Sequence, residues 1–156
     1  MVTFHFPARS QFPPLKLTWY EGTRAPRPDE LEDGRKMPAE GGALFKGSKG
    51  TIMCGVYGQS PRIIPEAKMK DAPLPPKTLP RVRGSHEQDW VRACKSGEPA
   101  GADFAYSGPL TEICLLGNIA KRVDARICWD AANLKITNLP EANQYVRTPY
   151  RKGWEI

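Results

Sequence analysis

Residues 43–57, ALFKGSKGTIMCGVY, have the pattern of a β-hairpin. Segments rich in apolar side chains flank a Gly-Ser-Lys-Gly sequence at 47–50, and short glycine-containing turns of this kind join antiparallel strands. We therefore predict strands at 43–46 and 51–57. This hairpin is the strongest structural signal in the chain, and the neighbouring segments extend it.

Period-two alternation of apolar and polar residues predicts further strands. Residues 2–6 alternate in this way, with His5 on the polar side, and residues 15–20 do the same after a proline-bounded connection. Two such runs in close succession predict an antiparallel pair. The other predicted strands are an edge strand at 62–64 and a second hairpin with strands at 126–129 and 134–137.

The first predicted helix covers residues 87–95. Ser85 is placed to cap it, Gln88 stands at the reciprocal position of a capping box, and Gly97 follows the last turn. These residues predict both ends of the helix without reference to the rest of the chain.

The second predicted helix is longer and runs from the Ser-Gly-Pro sequence at 107–109 to about Arg122, because proline is favoured in the first turn of a helix. Apolar residues cover so much of its surface that we expect it to be almost wholly buried, with Gly117 against a close neighbour. The tail at 140–156 is predicted to form a short helix followed by an extended arm.

The remaining segments carry few periodic signals. Residues 23–42 are predicted to form a polar loop, and residues 65–84, with five prolines, an extended connector. A length of 156 residues is typical of one domain, which we take to span residues 1–156. The predicted elements indicate an α+β fold, a predominantly antiparallel open sheet with two main helices packed on one face.

The composition predicts a water-soluble globular chain with a moderate excess of positive charge. Lys and Arg number 23 against 17 Asp and Glu, for a formal net charge of +6. The cations are scattered in small groups interrupted by acids, whereas nucleic-acid binders concentrate them on one face, so no nucleic-acid partner is expected. No apolar run approaches the roughly 18 residues that cross a bilayer, so no membrane partner is expected, and the compartment stays open.

The sequence lacks the spacings that several kinds of site require. Neither a Gly-rich dinucleotide fingerprint nor a phosphate-binding P-loop is present, so no cofactor is expected in this chain. The cysteines, Cys54, Cys94, Cys114 and Cys128, include no Cys-x-x-Cys pair, which argues against a metal site and favours buried free thiols over disulfides. His86 lies about 12 Å along a helix from Cys94, too far for a base and its nucleophile.

Four residues are predicted to face a small-molecule substrate: Tyr57, Arg62, His86 and Tyr106. Each is polar or amphipathic and lies near a strand end or a helix start, where clefts form. Tyrosine rings stack on sugars, although packing at a sheet surface is an evenly balanced alternative for both tyrosines. For His86, closing the helix end is favoured over a pairing in which Asp89 orients its ring.

Several separated blocks of the sequence resemble a known family. They are GSKGT at 47–51, CGVYG at 54–58, PRIIP at 61–65, HEQDW at 86–90, GPLTE at 108–112 and NLPEANQY at 138–145. In this order they resemble the C-terminal domain of bacterial Gfo/Idh/MocA-type oxidoreductases, the relatives of glucose–fructose oxidoreductase and inositol dehydrogenase. The resemblance covers nearly the whole chain.

The resemblance implies a role within a larger enzyme. Such enzymes place an NAD(P)-binding Rossmann domain before this region, and they oxidise or reduce sugar-like polyols. Their second domain covers the substrate with an open sheet and often mediates oligomerisation. Three partners are therefore implied: an N-terminal Rossmann domain, a sugar-like small molecule, and a second copy bound through the sheet. The first predicted strand begins almost at residue 1, which also leads us to expect part of a longer polypeptide.

The chain departs from the family in its catalytic machinery, so no catalytic residue is carried over. The Gly-rich fingerprint and the Glu-Lys-Pro segment are missing, and Gly-Glu-Pro at 97–99 follows a helix rather than a Rossmann strand. The family's Asp-x-x-x-His order is reversed here, since His86 precedes Asp89. We therefore expect the substrate- and assembly-side domain of an NAD(P)-dependent sugar or polyol oxidoreductase, inactive alone. The alternatives are a sheet-mediated interaction module and a carbohydrate-binding module without a redox role.

Overall fold

The computed structural model describes residues 1–22, 25–82, 84–147 and 149–155. The residues outside these ranges belong to the predicted loop, connector and tail: Thr23, Arg24, Arg83, Thr148 and Ile156. The chain divides into two compact units. The first unit comprises Met1–Gly22 and Arg81–Ile156, and the second comprises Thr23–Pro80.

The predicted α+β fold with antiparallel strands is confirmed. Within the described residues the strands form three separate sheets, β1–β2, β3–β4–β5 and β6–β7, whereas the sequence predicted one open sheet. Each sheet pairs only strands that follow one another in the chain, because short connections bring successive strands into register. The strands are β1 (Val2–Phe6), β2 (Leu15–Trp19), β3 (Gly42–Gly47), β4 (Gly50–Gly55), β5 (Arg62–Ile64), β6 (Trp129–Asp130) and β7 (Lys135–Ile136).

The two-stranded sheet of β1 and β2 has one apolar and one polar face. The apolar residues of the strands pair directly, as Phe4 does with Leu17, so their side chains share a face. His5 lies on the other face, as predicted. Leu15 and Trp19 of β2 remain 59% and 57% exposed, so the β2 side of the apolar face is uncovered in this chain.

The helix α2 (Phe104–Val123) packs on β1 through a glycine. A Cβ atom at Gly117 would lie 2.8 Å from Cζ of Phe4, so a residue without a side chain permits this close approach. The predicted close neighbour of Gly117 is thus the Phe4 ring. Leu110 and Leu115 are exposed, however, so the prediction of an almost wholly buried helix is wrong for the described chain. The helix meets β1 along one side only.

The N-terminus of α2 lies earlier than predicted. Asp103 caps the helix, and its carboxylate accepts the N–H of Tyr106 at 2.9 Å. An aspartate cap satisfies a backbone donor, which outweighs the preference of proline for the first turn. Pro109 therefore lies inside the helix. Although α2 has 20 residues, no helix of the described ranges is both long and apolar enough to cross a membrane.

The helix α1 (His86–Ser96) forms as predicted, with one more residue at each end. The backbone N–H of Gln88 donates to Oγ of Ser85 at 3.3 Å, and the N–H of Ser85 donates to Oε1 of Gln88 at 3.1 Å. These two bonds complete the predicted capping box. Gly97 ends the helix in the left-handed conformation, at φ 74°.

The three-stranded sheet of the second unit has a covered face and an uncovered one. Met53 and Ile64 are buried on the covered face together with Leu31. Leu31 comes from the predicted polar loop, which therefore supplies part of the core rather than only an excursion into solvent. On the opposite face, Phe45 pairs directly with Ile52, and both side chains are exposed.

Two predicted boundaries in the second unit are wrong. β4 ends at Gly55 instead of Tyr57, because the N–H of Gly55 donates to the carbonyl of Gln59 at 2.9 Å and the chain turns there. The predicted extended connector begins with a 3₁₀ helix at Glu66–Asp71, directly after Pro65. A proline at a helix start removes no intrahelical hydrogen bond, so the proline content did not exclude this helix.

All four cysteines are free thiols. Only Cys54 is buried, and Cys128 is half-buried. Cys94 and Cys114 are exposed, so the prediction of buried thiols is wrong for these two. They lie on α1 and α2, whose surfaces are only partly covered by the rest of the first unit.

Alanine at Gly117 is expected to destabilise the first unit relative to alanine at Gly108 of the same helix. In both variants the helix propensity becomes more favourable by about 1 kcal/mol, the difference between alanine and glycine. The added methyl group has open space at Gly108 but meets the Phe4 ring at Gly117, and overpacking of this kind costs about 1–3 kcal/mol. Thermal unfolding followed by circular dichroism measures the difference. Equal stability of the two variants would contradict the packing of α2 on β1.

Candidate functional site

Arg62, one of the four residues predicted to face a substrate, is held by two carboxylates. Its guanidinium lies 3.2 Å from Oε1 of Glu32 and 3.9 Å from Oε2 of Glu66, and its side chain is only 18% exposed. An anionic ligand would therefore compete with two acids already in place. The side chain connects β5 to the segment that precedes β3.

Glu32 is the centre of this ion-pair network. It accepts the backbone N–H of Glu66 and two contacts from Arg62. These interactions lower the pKa of the Glu32 carboxyl from 4.5 to about 2, and the N–H of Glu66 is the larger cause. Arg35 extends the network with a 2.6 Å contact to Glu66.

The other three predicted residues are exposed at the ends of elements. Tyr57 is almost fully exposed in the turn after β4, where its N–H donates to Oε1 of Gln59 at 2.8 Å. His86 begins α1, and Tyr106 lies in the first turn of α2. Tyr57 and Arg62 belong to the second unit, whereas His86 and Tyr106 belong to the first.

Asp89 does not orient the ring of His86. Its carboxylate accepts the N–H of Gly101 at 2.7 Å and the guanidinium of Arg92 at 2.8 Å. The hydrogen bond from Gly101 is the larger cause, and the one from Arg92 the smaller, of a lowered pKa for the Asp89 carboxyl. The buried carboxylate therefore fixes the segment that connects the two helices. His86 is the first residue of α1, which is the helix-end position that the favoured interpretation gave it.

A groove of about 910 Å³ runs along one side of α2 in the first unit. Its opposite wall consists of the β6–β7 hairpin and the 3₁₀ helix Pro140–Tyr145, the short helix that the sequence predicted, with the residues that follow it. None of the four residues predicted to face a substrate contributes to the described lining. The principal apolar and aromatic lining residues are Leu115, Ile119, Trp129, Leu134 and Tyr145.

Two asparagines hold the wall opposite α2. The side chain of Asn143 accepts the N–H of Ile136 at 2.8 Å and donates to the carbonyl of Ile136 at 2.9 Å, as a neighbouring strand would. Asn138 likewise accepts from Cys128 and donates to Arg126. Ile136 is fully buried, so its backbone groups need these partners. The NLPEANQY block thus has a structural function in fixing the hairpin.

Two side-chain contacts connect α2 to that wall. Nε1 of Trp129 donates to Oε1 of Glu112 at 2.7 Å, and the guanidinium of Arg122 lies 4.8 Å from the centre of the Tyr145 ring. The first contact positions the hairpin, and the second positions the 3₁₀ helix. Together they set the width of the groove.

The groove carries two cations and one carboxylate, from Arg122, Arg147 and Glu112. Within the described chain, neither arginine has a carboxylate oxygen within 4.0 Å. The aromatic and aliphatic walls offer stacking surfaces beside these guanidinium groups. The groove therefore combines positive charge with an apolar surface.

Within the described ranges, the N-termini of α1 and α2 do not fit a pyrophosphate group. Pyrophosphate binds at helix N-termini whose backbone N–H groups are not already next to an anion. Asp103 caps α2, and Glu87 lies in the first turn of α1, so carboxylates stand at both N-termini. In the described ranges, no cluster of three His, Cys, Asp or Glu residues could hold a metal ion.

Sequence reasoning did not identify the groove. The tail at 140–156 nevertheless combines aromatic rings with cations, and it overlaps the NLPEANQY block. What was missing was the contact of Glu112 with Trp129, 17 positions apart, which brings the hairpin beside α2. No protein-family model matches the sequence, and no curated protein matches it at a significant level.

Replacing Glu32 with glutamine is expected to reduce the acid sensitivity of the second unit. The folded-state pKa of about 2 lies below the ordinary value of 4.5. The ionised carboxylate therefore contributes stability above the ordinary value, and this contribution is lost as the pH falls toward 2. Urea unfolding followed by amide resonances of β4 and β5, between about pH 5 and pH 2, should show a smaller pH slope for Glu32→Gln than for the unaltered chain.

Asp33→Asn is the matched control for this experiment, because it removes the same charge from the next residue. Asp33 has no described hydrogen bond to its carboxylate, so its variant should keep the pH slope of the unaltered chain. The same slope in Glu32→Gln would show that the Glu32 network does not contribute to the pH dependence of stability.

Proposed function

We propose that this chain is the substrate- and assembly-side domain of an NAD(P)-dependent oxidoreductase that acts on sugars or polyols. A separate Rossmann domain would hold the dinucleotide and supply the catalytic groups. The proposal draws on the sequence blocks that resemble the C-terminal domain of Gfo/Idh/MocA-type enzymes. It assigns no catalytic residue to this chain.

The observation that carries the proposal is the large surface that the chain leaves uncovered. Its accessible area is 13694 Å², whereas compact domains of the sizes of the two units expose about 9,400 Å² together. The uncovered area includes the apolar sheet faces at Leu15 and Trp19 in the first unit and at Phe45 and Ile52 in the second. Exposed apolar side chains that share one face of a sheet are typical of contacts with other protein surfaces. A domain within a larger oligomeric enzyme has such contacts.

Substitution of the exposed predicted residues tests the substrate-side role. In the enzyme formed by this chain and its Rossmann domain, alanine at Tyr57, His86 or Tyr106 is expected to raise KM severalfold with little change in kcat, because these side chains would contribute uniform substrate binding. Tyr150→Ala, at another exposed tyrosine, is the control. An unaltered KM value in any one of these variants would exclude a substrate-facing role for that residue.

Titration with reduced nicotinamide dinucleotide, followed by fluorescence, tests whether the coenzyme binds elsewhere. The chain alone is expected to show no saturable binding, because carboxylates already stand at the N-termini of both described α-helices. Micromolar affinity would overturn the assignment of the coenzyme to a separate domain.

A second candidate function, a sheet-mediated interaction module, is favoured by the uncovered half of the β1–β2 face. Leu17 lies in this face, whereas Thr3 lies on the opposite, polar face. If the face mediates self-association, Leu17→Glu should shift the chain from dimer to monomer in sedimentation velocity at several concentrations. Thr3→Glu introduces the same charge on the other face and should leave association unchanged. A chain that is monomeric at all concentrations would exclude self-association through this sheet.

A further inference from the structure

We propose that the groove along α2 binds a small amphipathic monoanion, a molecule with a flat apolar ring body and one carboxylate. This ligand site is additional to the sugar-binding role proposed above and does not depend on it. The proposal rests on the apolar walls, the charges and the size of the groove.

The apolar walls are exposed on both sides of the groove. Leu115 of α2 is 56% exposed, and Leu134 of the hairpin is 48% exposed. Glu112 fixes the ring of Trp129 through a hydrogen bond, and the guanidinium of Arg122 lies over the ring of Tyr145. Fixed rings beside exposed leucines provide a flat surface on which a ring body can stack.

Leu134 occupies its place in the groove at a conformational cost. Its φ is 47°, in the left-handed region that glycine or asparagine adopts most readily in a turn. An asparagine, such as the neighbouring Asn133, would be less strained in this conformation. The turn instead places the bulky side chain of Leu134 there. Strain of this kind is concentrated at functional sites, which supports a binding role for the Leu134 side chain.

The charges of the groove determine the sign of the ligand. Arg122 and Arg147 have no described carboxylate partner, and Oε1 of Glu112 is occupied by the indole N–H of Trp129. Two guanidinium groups and one carboxylate leave one net positive charge, which a monoanion neutralises. A planar carboxylate also matches the paired donors of a guanidinium group.

The size of the groove favours a small molecule over a polypeptide. Its volume of about 910 Å³ lies within the range of roughly 300–1,000 Å³ found for small-molecule sites. All of its described lining belongs to the first unit. The site is therefore complete within that unit.

Titration with 2-naphthoate tests the proposal, with 2-naphthylmethanol as the neutral analogue of the same shape. The readout is the indole N–H resonance of Trp129 in a two-dimensional ¹H–¹⁵N spectrum, assigned with Trp129→Phe. We expect saturable shifts of this resonance with naphthoate and roughly tenfold weaker binding of the alcohol, since hydrogen bonds between charged groups are the stronger ones.

Arg147→Gln is expected to weaken naphthoate binding roughly tenfold. Arg126→Gln removes the same charge outside the groove lining and is the matched control, expected to retain the affinity. Arg122→Gln is a second variant, but it also removes the contact with Tyr145. Its amide spectrum must therefore remain dispersed, which shows that the variant is folded. Arg147→Gln removes no described contact and keeps the test valid if Arg122→Gln unfolds.

Three results would overturn the proposal. One is equal affinity for the acid and the alcohol, and another is unchanged naphthoate affinity in Arg147→Gln. The third is the absence of any shift of the Trp129 resonance with naphthoate. In that case, a saturable shift with an acidic amphipathic peptide would assign the groove to a protein partner.

Discussion

The close approach of α2 to β1 at Gly117 and Phe4 is the contact on which the first unit depends. α2 forms one wall of the groove, and it also covers the β1 side of an apolar face that a two-stranded sheet cannot bury by itself. A side chain at position 117 would meet the Phe4 ring, and moving the helix outward would affect both the groove and the sheet. The position of the groove is therefore coupled to the packing of a single glycine, on the far side of the helix from the ligand site we propose.

In both units, polar side chains satisfy backbone groups that have no main-chain partner. Asn143 bonds both backbone groups of Ile136, and in the second unit Glu32 accepts the N–H of Glu66 at the start of a 3₁₀ helix. Short sheets leave many backbone groups without a strand partner, and each buried group costs free energy unless it is satisfied. Side chains from irregular segments meet this requirement here, which explains how sheets of two or three strands persist in the described structure.

Local signals predicted local structure, and the features that depend on distant contacts were not predicted. The 43–57 hairpin and the capping box of Ser85 and Gln88 could be predicted from adjacent residues. For Gly117 the sequence predicted a close neighbour but did not identify it as Phe4. The start of α2 was wrong because Asp103 and Pro109 give competing signals, and the capping hydrogen bond of Asp103 is the stronger. The groove was not predicted because it depends on contacts such as Glu112 with Trp129, whose partners the sequence does not identify. The arginines that line it belong to the small, scattered groups of cations in the sequence.

The β1–β2 sheet has a consequence for the handling of the isolated chain. Within the described residues each of its strands pairs on one side only, so both outer edges present unpaired N–H and C=O groups next to an exposed apolar face. Such edges are templates for strand addition and aggregation. Lys16, the second residue of β2, is the kind of charged residue that opposes this in natural edge strands. Acetylation of Lys16 would remove this charge and so weaken the protection of the edge against strand addition.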